Sequence, residues 1–239
     1  MKITTDIIIP ILNEENTLEG NVGIIIDFLK KELSENYNCR VILADNGSDD
    51  NTPAIGKKLA EKFSGVVLYH RVGKKGVGLA LKSSWLESDA QYVGYMDLDM
   101  ATDLRHLTEA LEALGSNDVV YGSRLHKSSK VIGRTLKREI TSRIFNLFIK
   151  TYLRTHFSDG MCGFKFLKKE HVESIIDSGA DSDGWFFCTE ILVVSEWLGL
   201  KLYELPVEWT DDPNSKVKIG KLALEYIGAM QRLKNRHIS

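Results

Sequence analysis

Tyr92-Val93-Gly94-Tyr95-Met96-Asp97-Leu98-Asp99 is the stretch that decides how this chain is read. An aromatic and β-branched run reads as a buried strand, and it ends in two carboxylates two positions apart. On an extended chain, positions i and i+2 face the same side, so Asp97 and Asp99 can converge on one point. At the carboxyl end of a strand in an open α/β sheet, that point lies in the ligand crevice. Two hard oxygen ligands suit Mg²⁺ or Mn²⁺, which keep other positions for water and substrate phosphates. The same two aspartates would also serve as turn or N-cap residues before a helix starting near Asp103.

Working outward, Asp6-Ile7-Ile8-Ile9-Pro10 reads as a first buried strand, followed by Asn13-Glu14-Glu15 and a helix from Thr17 to about Ser34. Its apolar spacing runs through Leu18, Val22, Ile25, Ile26 and Leu29. Cys39 to Ala44 is a second strand, ending in the turn Asp45-Asn46-Gly47-Ser48-Asp49-Asp50. Asn51 or Thr52 caps the next helix, with Pro53 in its first turn. Val66 to Tyr69 makes a third strand. Strands and helices alternating at this spacing predict right-handed βαβ units and one α/β domain with a mostly parallel sheet flanked by helices.

After the third strand comes Gly73-Lys74-Lys75-Gly76-Val77-Gly78-Leu79-Ala80. It has neither the spacing nor the place of a dinucleotide fingerprint, and it is not a P-loop. A glycine-rich, doubly basic entry to a helix reads as a diphosphate cradle, or as a solvated turn. Beyond Asp99, a helix from Asp103 to Leu114 precedes a strand at Asp118 to Tyr121, ending Gly122-Ser123-Arg124.

The segment from Leu136 to Arg154 differs in kind. Ile140, Ile144, Leu147, Phe148 and Thr151 form one stripe, widened by Phe145, Ile149 and Tyr152. Lys137, Arg138, Arg143, Lys150 and Arg154 supply a basic face. A wide apolar face bordered by positive charge fits a helix in a membrane interface, and also fits a packed core helix. Then come a turn-rich loop at Ser158 to Lys165, a helix opened by Asp183 to Glu190, and a strand from Leu202 to Trp209. In that strand Pro206 marks an edge. A final amphipathic helix carries Leu222, Tyr226, Ile227, Met230 and Leu233.

Bulk properties narrow the function. The 239 residues are 43% hydrophobic and 27% charged, ordinary for one soluble globular domain. A net charge of −2 excludes a nucleic-acid binder that works by bulk charge. Cys39, Cys162 and Cys188 show no C-x-x-C spacing, which fits a reducing compartment. No signal-peptide core and no run of eighteen apolar residues is found, so a cytoplasmic chain is expected, peripheral if it meets a membrane. The histidines form no metal-like cluster, and His106 and His171 are expected on solvated faces.

With these pieces in order, the sequence resembles the family 2 inverting glycosyltransferases of GT-A fold, and among them the polyprenyl-phosphate glycosyltransferases. The resemblance runs from Pro10 to about Ile219. Pro10-Ile11-Leu12-Asn13-Glu14-Glu15 matches the edge of the nucleotide site. Asp45-Asn46-Gly47-Ser48-Asp49-Asp50 matches a motif whose aspartate, here Asp45, would accept from the base. Gly73 to Ala80, with Lys75 and Gly76, matches a glycine-lysine region; Asp97-Leu98-Asp99 matches the metal motif, and Gly122-Ser123-Arg124 the third. The later half adds Lys137-Arg138-Glu139, Ser142-Arg143, Asn146, Asp159, Cys162-Gly163-Phe164-Lys165, Gly184-Trp185-Phe186-Phe187, Thr189-Glu190 and Pro206 through Ser215-Lys216. Two positions depart: Cys188 stands where many relatives are acidic, and Ala101 where mannose synthases place glutamine. The second tilts the expected donor from GDP-mannose towards a UDP-hexose.

The resemblance implies transfer of a hexose from a nucleotide sugar to a polyprenyl phosphate at the inner membrane face. Pro10, Asn13, Glu14, Asp45, Gly47, Ser48, Lys75, Gly76, Asp97 and Leu98 would line the donor site, with residues 1–124 as the donor part and 125–239 as the acceptor part. Mg²⁺ or Mn²⁺ on Asp97 and Asp99 would stabilise the departing diphosphate. Arg124, Lys137, Ser215 and Lys216 are the expected phosphate contacts, with a buried ion pair as the alternative for Arg124. Asp159 is either a base or a loop-organising acceptor. A hydroxyl acceptor would need Asp159 or Glu190 as base, whereas a phosphate acceptor is already anionic. A glycan or soluble hydroxyl acceptor, a metal-dependent nucleotidyltransferase and a silent nucleotide-sugar binder are the alternatives.

Overall fold

Side-chain alternation along the strands sorts the core onto two faces of one sheet. The computed structural model describes residues 2–211 and 219–238, so Ser215 and Lys216 lie outside the described residues. The strands are β1 (Ile3–Ile11), β2 (Tyr37–Asp45), β3 (Val67–Arg71), β4 (Tyr92–Met96), β5 (Val119–Ser123), β6 (Lys130–Ile132), β7 (Phe164–Lys168), β8 (Leu202–Pro206) and β9 (Glu208–Thr210). Seven of them form the main sheet, in the order β3-β2-β1-β4-β7-β5-β8, while β6 and β9 pair separately. Within the main sheet β7 alone runs against its neighbours.

The helices are α1 (Leu18–Phe28), α2 (Thr52–Lys62), α3 (Val77–Glu87), α4 (Arg105–Ala113), α5 (Leu136–Leu153), α6 (Val172–Asp177), α7 (Phe187–Trp197) and α8 (Ile219–Ile238). Ile7, Ile9, Ile11, Val41 and Leu43 face α1, α2 and α4, whereas Ile8, Ile42, Ala44 and Tyr95 face α3 and α7. The expected stripe on α1 is buried, and it continues through one π-type turn at Leu29–Leu33. Pro53 sits in the first turn of α2 behind Asn51, as the cap signal predicted. Pro206 closes β8, the edge strand, and divides the expected Leu202–Trp209 strand in two.

The sheet places the site. From β1, the chain crosses outward to β2 and β3, then returns to β4 on the other side of β1. The carboxyl ends of β1 and β4 therefore flank a topological switch point, where open α/β sheets bind ligands. No structural break falls at position 124, because β7 inserts between β4 and β5.

Candidate active site

Asp97 and Asp99 leave β4 at that switch point, but not in extended conformation. The strand ends at Met96, and Leu98 and Asp99 form a turn. Asp97 O accepts from Met100 N at 3.3 Å, and Met100 takes a left-handed φ of 54°. Asp97 is half-buried and Asp99 exposed. Asp99 Oδ1 also accepts from Ala101 N at 3.0 Å, so it organises the turn as well. Neither caps α4, whose N-cap position is Leu104; Asp103 just before it accepts Arg105 N on its Oδ1 at 3.0 Å. Burial pushes the Asp97 carboxyl up to about 7, the Asp99 charge adds to this, and Arg124 and Lys165 oppose it. Two repelling carboxylates at a sheet crevice fit a divalent hard cation that completes its shell from water and phosphate. No group of three or more metal-binding side chains exists among the described residues. Leu98 packs its side chain into the core, leaving only its backbone for a ligand.

The loops after β1 and β2 are knit together by side-chain-to-backbone bonds. Asn13, at φ 57°, accepts Asp49 N on its Oδ1 at 2.8 Å and gives its own N–H to Ser48 Oγ at 3.0 Å. Glu14 N donates to Thr52 Oγ1 at 2.7 Å, and Asn51 N to Glu15 Oε2 at 3.0 Å. Gly47 supplies a φ of 80° that a side chain would strain. Asp45 is fully buried: it accepts from Ser48 N at 2.8 Å and from the Tyr69 hydroxyl, with Arg71 3.9 Å away. In this structure Asp45 organises the loop.

The glycine-lysine segment is tied down by contacts within the chain. Two of its helix-entry amides are taken, Gly76 N by Asn46 Oδ1 and Leu79 N by Asp183 O at 3.1 Å. Lys74 pairs with Asp183 at 2.8 Å and Lys75 with Asp49 at 2.9 Å. A Cβ at Gly78 would collide with Ser182 O and Phe187, which explains a glycine there without a ligand. The segment joins the donor loop to the 181–187 loop.

Arg124 leaves β5 and lies against Asp159. Asp159 Oδ2 receives Arg124 Nε at 2.8 Å and Arg124 N at 3.1 Å, and Oδ1 receives Nη2 at 3.0 Å. Burial would raise the Asp159 carboxyl, but Arg124 outweighs it and holds the group at about 2. With both oxygens on Arg124, Asp159 organises the loop in this structure. Glu190 is likewise bound, by Ser182 N at 2.8 Å, Ser182 Oγ at 2.6 Å and Arg232 at 3.3 Å. Burial raises its carboxyl, and the Ser182 bonds and Arg232 oppose this. Lys137 is exposed, and the inner basic positions belong to others. Arg124 and Arg134 both lie over the Trp209 ring, at 5.3 and 5.9 Å, and Arg138 pairs with Asp211 at 2.6 Å.

Residues 6–176 match the model of Glycosyl transferase family 2. The chain belongs to this family. It is 33% identical over 219 residues to glycosyltransferase AglD of Haloferax volcanii, covering 91% of this chain and 35% of that protein. To the dolichyl-phosphate beta-glucosyltransferase of Dictyostelium discoideum it is 28% identical over 249 residues, covering 99% of this chain and 75% of that one. The chain thus spans about a third of AglD, with 35% covered. Glucosyl-3-phosphoglycerate synthase from Mycobacterium tuberculosis, solved with Mn²⁺, UDP and phosphoglyceric acid, superposes at a TM-score of 0.65. The identity there is 16%, with 98% of this chain and 78% of that chain covered. S. aureus TarS with UDP-GlcNAc superposes at 0.57 with 14% identity, over 99% of this chain and 66% of that one. These likenesses establish the GT-A fold expected from the motifs.

Three features of this family 2 chain escape sequence reasoning. Gly163 packs its Cα so close to Asp97 that a Cβ would overlap the carboxylate. The signal was the lone glycine before Phe164 and Lys165, but nothing in sequence linked it to Asp97. His106 is buried, not solvated: Nε2 accepts Glu208 N at 2.8 Å, so Nδ1 carries the proton towards Glu109 at 2.9 Å. His171 is half-buried beside Asp118. Lastly, α5 turns Ser142, Asn146, Ile149 and Leu153 inward, so Ile149 belongs to the core and not to the outer face. Leu136, Ile140, Ile144, Leu147 and Phe148 are exposed, from 44% to 74%. Phe145 packs on Tyr226 at 5.5 Å, and Tyr152 stacks on Phe148 at 5.8 Å.

Proposed function

We propose that the chain transfers a hexose, with inversion, from a nucleoside-diphosphate sugar to a polyprenyl phosphate held in a membrane. UDP-glucose is favoured over GDP-mannose as donor, because the similar proteins named as dolichyl-phosphate enzymes are beta-glucosyltransferases and Ala101 replaces the expected glutamine. The observation that carries the lipid acceptor is α5, which exposes the apolar stripe Leu136, Ile140, Ile144, Leu147 and Phe148 beside basic residues. No helix among the described residues is long and apolar enough to cross a membrane. An interfacial helix therefore offers this chain a route to a lipid-borne phosphate at the inner face of the cell membrane.

In this reading an acceptor phosphate oxygen attacks the anomeric carbon as the bond to the nucleoside diphosphate breaks. The oxygen is already anionic, so no protein base is required, which suits a site where Asp159 and Glu190 are both engaged. Arg124, with Arg134 across Trp209, supplies the cationic wall for the acceptor phosphate, and Lys137, Ser215 and Lys216 remain candidates at its rim. Asn13, Glu14, Gly47 and Ser48 present the donor edge that Asp45 holds in shape. Mg²⁺ or Mn²⁺ on Asp97 and Asp99 would act as Lewis acid to the leaving diphosphate. A donor screen tests the whole: UDP-glucose and GDP-mannose, each with geranyl phosphate or a soluble sugar. UDP release that depends on geranyl phosphate is expected. Pyrophosphate release, or preference for the sugar hydroxyl, would overturn it.

A further inference from the structure

Strand β7 breaks its own pattern at one position. Phe164 and Phe166 face one side of the sheet, and Lys165 and Leu167 the other, where Lys165 stands between Tyr95 and Tyr121 of the adjoining strands. An apolar side chain is what that place asks for, yet Lys165 is fully buried. Lysine is almost never enclosed unless paired. Its three N–H groups all go to neutral acceptors: Cys162 O at 2.6 Å, Gly160 O at 3.1 Å and the Tyr95 hydroxyl at 3.3 Å.

The Gly160 peptide is held from its other end as well. Its N–H donates to Asn146 Oδ1 at 2.8 Å, reaching it from α5, and its carbonyl also accepts from Thr189 Oγ1 of α7 at 3.1 Å. One residue before this peptide, Asp159 grips Arg124. Three residues after it, Gly163 abuts the Asp97 carboxylate and accepts Asp97 N at 3.3 Å. We propose that Lys165 and Asn146 are positioning residues that clamp the Gly160 peptide and so fix Arg124 relative to Asp97. The clamp touches neither donor nor acceptor. It rests on the reading that Asp97 and Arg124 serve one transfer reaction, and it ties α5 to the reacting centre.

Lys165→Met keeps the length and removes the donors; Asn146→Leu removes the acceptor on α5. Amide hydrogen exchange over residues 158–163, read in the full chain without substrate, should quicken in each variant while α1 and β2 stay protected. Asn146→Asp, which keeps an acceptor oxygen, should restore the protection. With UDP-glucose and geranyl phosphate, each single variant should lose about 100-fold in kcat, the scale of a 1 Å misplacement, with donor KM within about threefold. The double variant should be no worse than the poorer single, because both act through one peptide. Should Lys165→Met not fold, Asn146→Leu with its aspartate partner carries the same test. Wild-type exchange in the loop, or kcat losses that multiply, would overturn the clamp. If the unaltered chain uses no UDP-glucose, the donor reading falls, while the exchange arm still decides the clamp.

Discussion

Helices α7 and α5 reach the same residue, Gly160, from the same side of the sheet, and they differ in how much of their surface they bury. From Phe187 to Ser195, α7 is buried at every position, whereas α5 buries Ser142, Asn146, Ile149 and Leu153 and exposes Ile140, Ile144 and Leu147. A helix buried all round belongs to a core. One that leaves an apolar stripe exposed has a use for a second apolar environment. Periodicity reports that a stripe exists; only packing reports which stripe faces the protein.

The comparison is sharpest in stability. Phe187→Ala on α7 should cost about 3–5 kcal/mol in urea unfolding, since it empties a well-packed site beside Trp85, 5.6 Å away between ring centroids. A cost below about 1 kcal/mol would show that α7 is not the core helix described.

The next effect separates chemistry from fold. Asp99 is exposed, so Asp99→Ala should leave the melting temperature nearly unchanged. It should still remove roughly 3 kcal/mol of transition-state stabilisation, seen as a fall in kcat, and EDTA should mimic it. Activity indifferent to both would sink the metal reading.

Much of the fold was legible because the strands are nearly continuous apolar runs and the turns carry their own punctuation. The bounds of α5 came within one residue, Leu136 to Arg154 against Leu136–Leu153. What the sequence could not show were partners distant in it. Gly76 N meets Asn46, and the 181–184 loop packs against Gly78. Asp159 carries Arg124, 35 positions away, on its carboxylate. Lys165 stands in a motif of the resemblance, but nothing local announces its burial or the antiparallel insertion of its strand at the sheet centre.

Acid offers a smaller test of the acceptor side. The Asp159 carboxyl is held at about 2 in the fold against 3.8 when free, so its contribution is present above 3.8 and lost as pH falls towards 2. That difference is on the order of 2 kcal/mol. Urea unfolding at pH 7, 4 and 2.5 should show the loss, and Asp159→Asn should flatten that part of the curve. An acid limb unchanged by Asp159→Asn would argue against the buried pair.

The smallest stability effect belongs to α5, where Ile144→Ser with Leu147→Ser should change unfolding by no more than about 0.5 kcal/mol per site. Its consequence for membrane binding should be large. Co-sedimentation with phosphatidylglycerol–phosphatidylcholine vesicles at low and high salt therefore tests the central claim most directly. The unaltered chain should sediment at low salt and be partly released at high salt, as weak apolar insertion aided by basic residues requires. The double variant should stay in the supernatant with an unchanged melting temperature. A wild-type chain that never sediments, or a double variant that sediments equally, would contradict the reading of α5 as the membrane face.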